Sequence, residues 1–180
     1  MIHAVRTQTP SREPSGPPTL DDLAALDVGA LEAAYRSGTM PASLRALDGE
    51  PECRMLSVRG LDNGRVATGL RHFAASAAFP WAGKSFTSAS DANGAGINRV
   101  RLGGARRWFP FRTRQDPSAI DGAPCILLDY DLPENPALIR RIRDELREVS
   151  PGLFLGPAMA VTGRGAPALV LFFACWHRGR

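Results

Sequence analysis

The chain reads WAGKSFTSASDANGAGINRVRLGGARRWFPFRT from residue 81 to residue 113. After Trp81 the sequence pattern changes to a period of two, which is typical of β-strands because successive side chains of a strand point to opposite faces. This stretch and the chain that follows it predict six strands, near residues 84–90, 95–102, 106–113, 124–131, 153–162 and 167–177. The second half of the chain is therefore expected to be mostly sheet.

The links between these predicted strands are short, and only one of them has a helical pattern. A parallel sheet would need a crossover between nearly every pair of strands, so antiparallel pairing is expected. The exception is an amphipathic helix predicted near residues 136–149, with Asn135 as its N-cap and Pro136 in its first turn. Its apolar stripe consists of Leu138, Ile139, Ile142, Leu146 and Val149. The sheet either closes into a barrel or curls around this helix, and the barrel is preferred because closure removes the sheet edges.

The N-terminal part predicts a tail and short helices. Residues 1–18 are rich in proline, serine and glycine and are expected to form a flexible tail. Thr19 and Asp22 form a capping box that starts a short helix. Asp27 caps a second helix, which Gly38 is expected to end in the left-handed conformation. The predicted fold class is therefore α+β, with short N-terminal helices followed by a curved antiparallel sheet that closes into a barrel.

Composition limits the class of protein. The chain has 180 residues, 44% apolar and 22% charged, and residues 19–180 are expected to form a single domain. The formal net charge is +4, but the cationic residues are spread along the chain and mixed with acids, so no nucleic-acid partner is predicted. No segment approaches the ~20 apolar residues that a membrane helix needs.

Three widely spaced cysteines, Cys53, Cys125 and Cys175, predict neither a disulfide framework nor a paired-cysteine zinc site. A reducing compartment fits them best, and with no apolar signal segment the expected location is cytoplasmic. His177 follows Cys175 by two positions, but two ligands do not make a metal site. No metal and no cofactor is predicted.

Lys84 is the only lysine of the chain and follows Gly83 in a Gly-Lys-Ser sequence. The phosphate-loop pattern fails, because Ala78 stands where its first glycine is required. A lysine pointing into an apolar barrel would have a depressed pKa and would act as a base or an amine nucleophile. The alternative is a surface lysine at the start of a strand.

On the strand after Pro124, alternation places Asp129 and Asp131 on one face and Tyr130 on the other. The two aspartates are candidates for acid–base work or for orienting arginines, and Asp129 is preferred because Asp131 leads directly into a turn. Lys84, Asp129 and Tyr130 are therefore the candidate catalytic residues.

Four further residues are candidates for ligand binding. Trp108 and Arg112 share one face of their strand, which would suit a ligand with a hydrophobic body and an anionic or carbonyl end. The alternative is an ordinary core in which Arg112 reaches to water. Trp81 and Arg99 complete the predicted set.

Several short motifs resemble those of uncharacterised bacterial lipocalin-like (calycin-like) β-barrel proteins, over roughly residues 80–177. The motifs lie at residues 81–86, 96–99, 129–131, 135–136, 142–145 and 151–156. This resemblance implies a barrel and brings no activity with it.

Two functions are consistent with these observations. The leading hypothesis is a barrel that binds a small hydrophobic or amphipathic molecule in its cavity. The alternative is a cofactor-independent enzyme, such as an isomerase, cyclase or hydrolase, acting in the same cavity. A homodimer is left open.

Overall fold

The computed structural model describes residues 17–61, 64–76, 78–163 and 165–177. Most of the predicted tail therefore lies outside the described residues. The α-helices are α1 (Leu20–Ala25), α2 (Val28–Ser37) and α3 (Gly64–Ala75), and 3-10 turns occupy Leu44–Leu47 and Ile139–Arg141. The strands are β1 (Glu52–Val58), β2 (Trp81–Ser88), β3 (Asn93–Arg101), β4 (Ala105–Pro117), β5 (Pro124–Asp129), β6 (Ile142–Ser150), β7 (Leu153–Ala160) and β8 (Ala168–Trp176). No helix in the described part of the chain is long and apolar enough to cross a membrane.

The eight strands form one antiparallel sheet in the order β1-β8-β7-β6-β5-β4-β3-β2. Strands β2 to β8 follow each other in sequence, and β1 pairs with the last of them. The two outer strands approach each other, and Gly49, just before β1, forms a backbone bridge with Phe86 of β2, with N to O distances of 3.0 and 2.9 Å. The sheet therefore nearly closes into a barrel, as predicted, and we call the gap between β1 and β2 the seam.

The interior of the barrel is solid at one end. The 3-10 turn Leu44–Leu47 covers this end, and its two leucines pack against Phe86, Phe111 and Phe154 in the main hydrophobic cluster. At the opposite end β1, β3, β5 and β7 finish and β2, β4, β6 and β8 begin. We call this opposite end the cavity end.

Helices α1 and α2 cover the outside of the barrel over β1, β6, β7 and β8. The capping box of Thr19 and Asp22 and the Asp27 N-cap are present as predicted. The left-handed conformation predicted for Gly38 is wrong, because its φ is -70°. A side chain there would lie 3.0 Å from Arg147 Cβ, so this glycine permits the close approach of α2 to β6.

The helix predicted near residues 136–149 is wrong. A 3-10 turn at Ile139–Arg141 leads into strand β6 (Ile142–Ser150). Ile142 and Leu146 pack against the interior cluster, whereas Val149 packs against the outer cluster beneath α2. Both faces of this strand are covered, so its apolar residues show no simple alternation.

Candidate functional site

A cavity of about 370 Å³ occupies the cavity end of the barrel. Its wall includes Met55, Val100, Phe109, Ile142, Leu171 and Phe173, and Phe79, Pro80 and Ile139 close over it from the connecting segments. The polar side chains of the wall are Trp81, Lys84, Asn98, Tyr130 and Asp144. This volume lies within the range of small-molecule sites in proteins.

Lys84 extends from β2 into the barrel and is 2% exposed. Its ammonium donates hydrogen bonds to Asp144 Oδ2 at 2.8 Å, to Tyr130 OH at 2.6 Å and to Asn98 Oδ1 at 3.0 Å. An ammonium has three N–H donors. All three donors of Lys84 are therefore used by the protein.

The side chains around this ammonium are also bonded to one another. The Tyr130 hydroxyl donates to Asp144 Oδ2 at 3.1 Å. The Asn98 amide donates to Tyr130 OH at 3.1 Å and to the Phe109 carbonyl at 3.1 Å, and Asn98 Oδ1 accepts from Trp81 Nε1 at 3.0 Å. These bonds fix the Asn98 amide orientation and join four strands across the barrel.

The Lys84 ammonium is also surrounded by aromatic rings. Its nitrogen lies 4.9 Å from the ring centroid of Phe173, 5.2 Å from Phe111, 5.3 Å from Tyr130 and 5.5 Å from Trp81. Aromatic faces attract cations at such distances. The site therefore stabilises a protonated lysine with four rings and one carboxylate.

The charge state of Lys84 follows from these contacts. Burial disfavours the ammonium, but the Asp144 carboxylate and the Tyr130 hydroxyl outweigh burial and raise the pKa of Lys84. Burial, followed by the Asp144 charge, raises the pKa of Tyr130. The depressed lysine pKa expected from an apolar barrel is therefore wrong, because Asp144 lies beside the amine. A protonated amine cannot act as a base or a nucleophile.

One polar atom of the site has no partner. Asp144 is 4% exposed, and its Oδ2 accepts from Lys84 and Tyr130. Among the described residues, no donor lies within hydrogen-bond distance of the buried Oδ1. Asp144 lines the cavity, and its Oδ1 is a polar atom of this site without a partner in the described part of the chain, whereas the nearby donors are already engaged.

The cavity end also carries exposed apolar side chains. The large apolar residues that are exposed in the described part of the chain are Leu61, Phe73, Leu102, Trp108, Leu138 and Val170. Each lies in a connection at the cavity end or near the end of a strand there. Leu138, at 78% exposure, directly precedes Ile139 of the cavity wall.

The structure brings together three of the predicted site residues, Lys84, Tyr130 and Trp81, at this cavity. It places Asp129 elsewhere, on the outer face of the sheet, where Arg114 binds its carboxylate at 2.7 Å. Arg112 is exposed and stands opposite Asp129 across β4 and β5.

Arg99 and Trp108 also lie outside the cavity wall. Arg99 donates to the Pro51 carbonyl at 2.7 Å, beside the seam. Trp108 is 38% exposed, with the Arg106 guanidinium 5.8 Å from its ring centroid.

Sequence reasoning missed Asn98 and Asp144. Asn98 and Val100 are two residues apart on β3, so strand alternation places them on the same face but does not show that this face points inward. Asp144 lies outside the apolar stripe of the predicted helix, so that prediction gave it no place in the interior. With a period of two over residues 142–146, it shares a face with Ile142 and Leu146, and this pattern would have placed the carboxylate inside.

The described residues contain no group of three or more His, Cys, Asp and Glu side chains placed to hold a metal ion.

Comparisons with known proteins identify no family for this chain. No protein-family profile matches the chain, and no curated protein matches it. A crystal structure of a protein from Thermomonospora curvata has a TM-score of 0.48 and 16% sequence identity, over 85% of this chain and 89% of that one. The lipocalin-like resemblance, the cytoplasmic location and the homodimer stay predictions.

Proposed function

We propose that the barrel binds a small molecule with an apolar body and one hydrogen-bond donor, such as an alcohol, a phenol or an amide. The observation that carries this proposal is the unpaired Asp144 Oδ1 in a mostly apolar cavity whose other polar side chains are hydrogen-bonded to one another. The apolar wall would hold the body of the ligand, and Asp144 would accept its hydrogen bond. A hydrogen bond to a charged group contributes about 1.5–3 kcal/mol.

The same geometry gives the cavity a preference among ligands. An anionic head group would face the Asp144 carboxylate without a free lysine donor, since the three N–H groups of Lys84 are occupied. Burial of an unpaired charge is strongly unfavourable. A fatty-acid-like carboxylate is therefore expected to bind more weakly than the corresponding alcohol.

A protonated Lys84 with no free donor favours the binding role over the enzymatic alternative. Base or nucleophile chemistry at this residue would need a neutral amine. The arrangement instead holds one carboxylate in a fixed orientation, which is what a specific binding site needs.

Three aromatic probes of matched size test the proposal: 2-naphthol, which has a donor, 2-methoxynaphthalene, which has none, and 2-naphthoate, which is anionic. Binding is measured by isothermal titration calorimetry and by quenching of tryptophan fluorescence. We expect 2-naphthol to bind about 10- to 150-fold more tightly than its methyl ether, as the hydrogen-bond energy implies. Naphthoate should bind most weakly.

The double variant Lys84→Met with Asp144→Leu should bind both neutral probes with equal affinity, because it lacks the acceptor. Asp129→Asn is the matched control, since this aspartate lies outside the barrel, and it should keep the full preference. Equal affinities of naphthol and ether in the unmodified protein, or no binding of any probe, would contradict the proposal. Native mass spectrometry before and after denaturation would identify a molecule that co-purifies.

A further inference from the structure

A pair of cysteines beside the seam is not used by the ligand cavity. Cys53 of β1 stands directly opposite Cys175 of β8 in the sheet register. Their Sγ atoms are 2.8 Å apart, and both thiols are free. Sulfur atoms at this distance are in contact but not bonded, because a disulfide bond is about 2.05 Å long. Wide spacing in the sequence gave no sign of this pairing.

The two thiols differ in exposure. Cys53 is half-buried and lines a surface pocket of about 340 Å³ together with Glu50, Arg99 and Arg101. Cys175 is fully buried behind it. A reagent in the pocket would therefore meet Cys53 first, and Cys175 could react only with Cys53.

Gly83 allows positive charge to approach the Cys53 thiol. Its φ is +117°, and a side chain on it would lie 3.1 Å from Cys53 Sγ and 2.9 Å from Arg99 Nη2. The absence of that side chain leaves the guanidinium and the thiol free to converge. Among the described residues, the buried Arg99 Nε has no hydrogen-bond acceptor.

The surroundings favour a thiolate at Cys53. Burial opposes ionisation, but the Cys175 thiol, the Lys84 backbone N–H and the charges of Lys84 and Arg99 outweigh it and lower the pKa of Cys53. Burial and the bond to Cys53 raise the pKa of Cys175. The pair thus consists of one half-buried thiol that favours the thiolate and one fully buried neutral thiol.

We propose that Cys53 and Cys175 form a redox-active dithiol that reduces small hydroperoxides, with Cys53 as the attacking residue. The Cys53 thiolate attacks the terminal oxygen of ROOH, and the O–O bond breaks. The leaving alkoxide takes a proton and departs as ROH, and Cys53 becomes a sulfenic acid. The sulfur of Cys175 then bonds to that of Cys53, and the hydroxyl leaves with the thiol proton as water. The two electrons of the dithiol reduce the peroxide, and a disulfide remains.

The strand register suits the second step. Directly opposed residues of antiparallel strands have Cα atoms about 4.5–5.5 Å apart, and disulfides span about 4.4–6.8 Å. The bond can therefore form without separating β1 from β8. A low-molecular-weight dithiol such as dithiothreitol would restore the thiols by exchange.

The experiment treats the reduced full-length protein with one equivalent of hydrogen peroxide at pH 7 and follows the intact mass. We expect a loss of 2 Da and a proteolytic peptide that links Cys53 to Cys175. Cys175→Ala should stop at a sulfenic acid that dimedone labels on Cys53. Cys125→Ser is the matched control, because this third cysteine is not in contact with the pair, and it should form the disulfide at the unmodified rate.

Rates give a second measurement that does not depend on a variant folding. An ordinary thiol of pKa about 8.5 is only ~3% thiolate at pH 7, so folded Cys53 should react up to about 30-fold faster than the same cysteine in urea. Arg99→Met should slow the reaction without preventing the disulfide, whereas Arg112→Met on the far face should not change it. Equal rates in folded and unfolded protein, oxidation of Cys125 first, or oxygen addition without a Cys53–Cys175 link would each overturn the proposal.

Discussion

Removal of Asp144 should destabilise the barrel strongly, and removal of Lys84 with it should restore stability. The Lys84 and Asp144 side chains are 3% and 5% exposed and 2.8 Å apart. Loss of one partner of such a pair leaves a buried charge, which destabilises proteins by about 3–5 kcal/mol. We expect Asp144→Leu and Lys84→Met each to lose about this much. In the double variant no charge is left, and the loss should fall to about 1 kcal/mol or less.

The free energy of unfolding is measured by urea denaturation at pH 7, with circular dichroism as the signal and unchanged m-values as the test of two-state behaviour. For a domain of this size, 1 kcal/mol shifts Tm by about 2–4 °C. The single variants should therefore melt about 6–20 °C lower than the unmodified protein. If a single variant does not fold at all, recovery of folding by the double variant is the readout.

Two results would refute this reasoning. One is that each single variant has a free energy of unfolding within about 1 kcal/mol of that of the unmodified protein, which would mean that the Lys84–Asp144 ion pair is hydrated. The other is a double variant as unstable as both losses together, which would show that packing, not charge, dominates. The surface pair of Asp129 and Arg114 is the control, and Asp129→Leu should cost no more than about 1 kcal/mol.

Three further predictions concern the rest of the domain. Burial raises the pKa of Cys125 to about 12, so the neutral thiol contributes fully to stability below about pH 8.5, and this contribution is lost as pH rises towards 12. Urea denaturation across this range should show a fall in the free energy of unfolding. Cys125→Ala should make that fall with pH less steep. Glu145 is fully buried and accepts bonds from a tyrosine, a serine and an arginine. Glu145→Ala should therefore cost about 3 kcal/mol in the same assay, whereas Glu134→Ala at the surface should stay within about 0.5 kcal/mol. Gly83→Ala should lower the free energy of unfolding by about 2 kcal/mol, because the φ of Gly83 is +117°, and thermal unfolding measures this loss. The space around Gly165 is open, so the control Gly165→Ala should change stability by less than about 0.5 kcal/mol.

Most strands of the sheet were predicted from the sequence. Strands β2 to β5, β7 and β8 lie close to their expected positions, and the barrel closes nearly as predicted. Strand β6 failed because Ile142 and Leu146 are four residues apart. That spacing is one helical turn, but four is also an even number and keeps two residues on one face of a strand. Asp144 lies between them and faces the interior, and Arg147 is buried under α2. The apolar pattern alone therefore could not distinguish a strand from a helix here.

The site was predictable only in part. Lys84 could be found because a single lysine in an apolar strand needs an explanation, and Tyr130 because alternation put it with apolar neighbours. Its partner Asp144 lies four strands away in the sheet order, and only closure of the barrel brings the two together. Whether Asp129 or Tyr130 faces the interior depends on the register of β5, and one residue of shift exchanges the two faces.

The retention of an ion pair inside the barrel is itself an argument for binding. Apolar side chains of similar volume would fill the space beside Phe111 and Phe173 at no loss, and often at a gain, of stability. The two hydrogen bonds that Asp144 accepts, from Lys84 and Tyr130, both go to one carboxylate oxygen and leave the other without a donor. An unsatisfied buried acceptor costs about 1–3 kcal/mol, so the fold carries an energetic penalty that stability alone does not require. A ligand hydroxyl or amide N–H at that oxygen would remove the penalty.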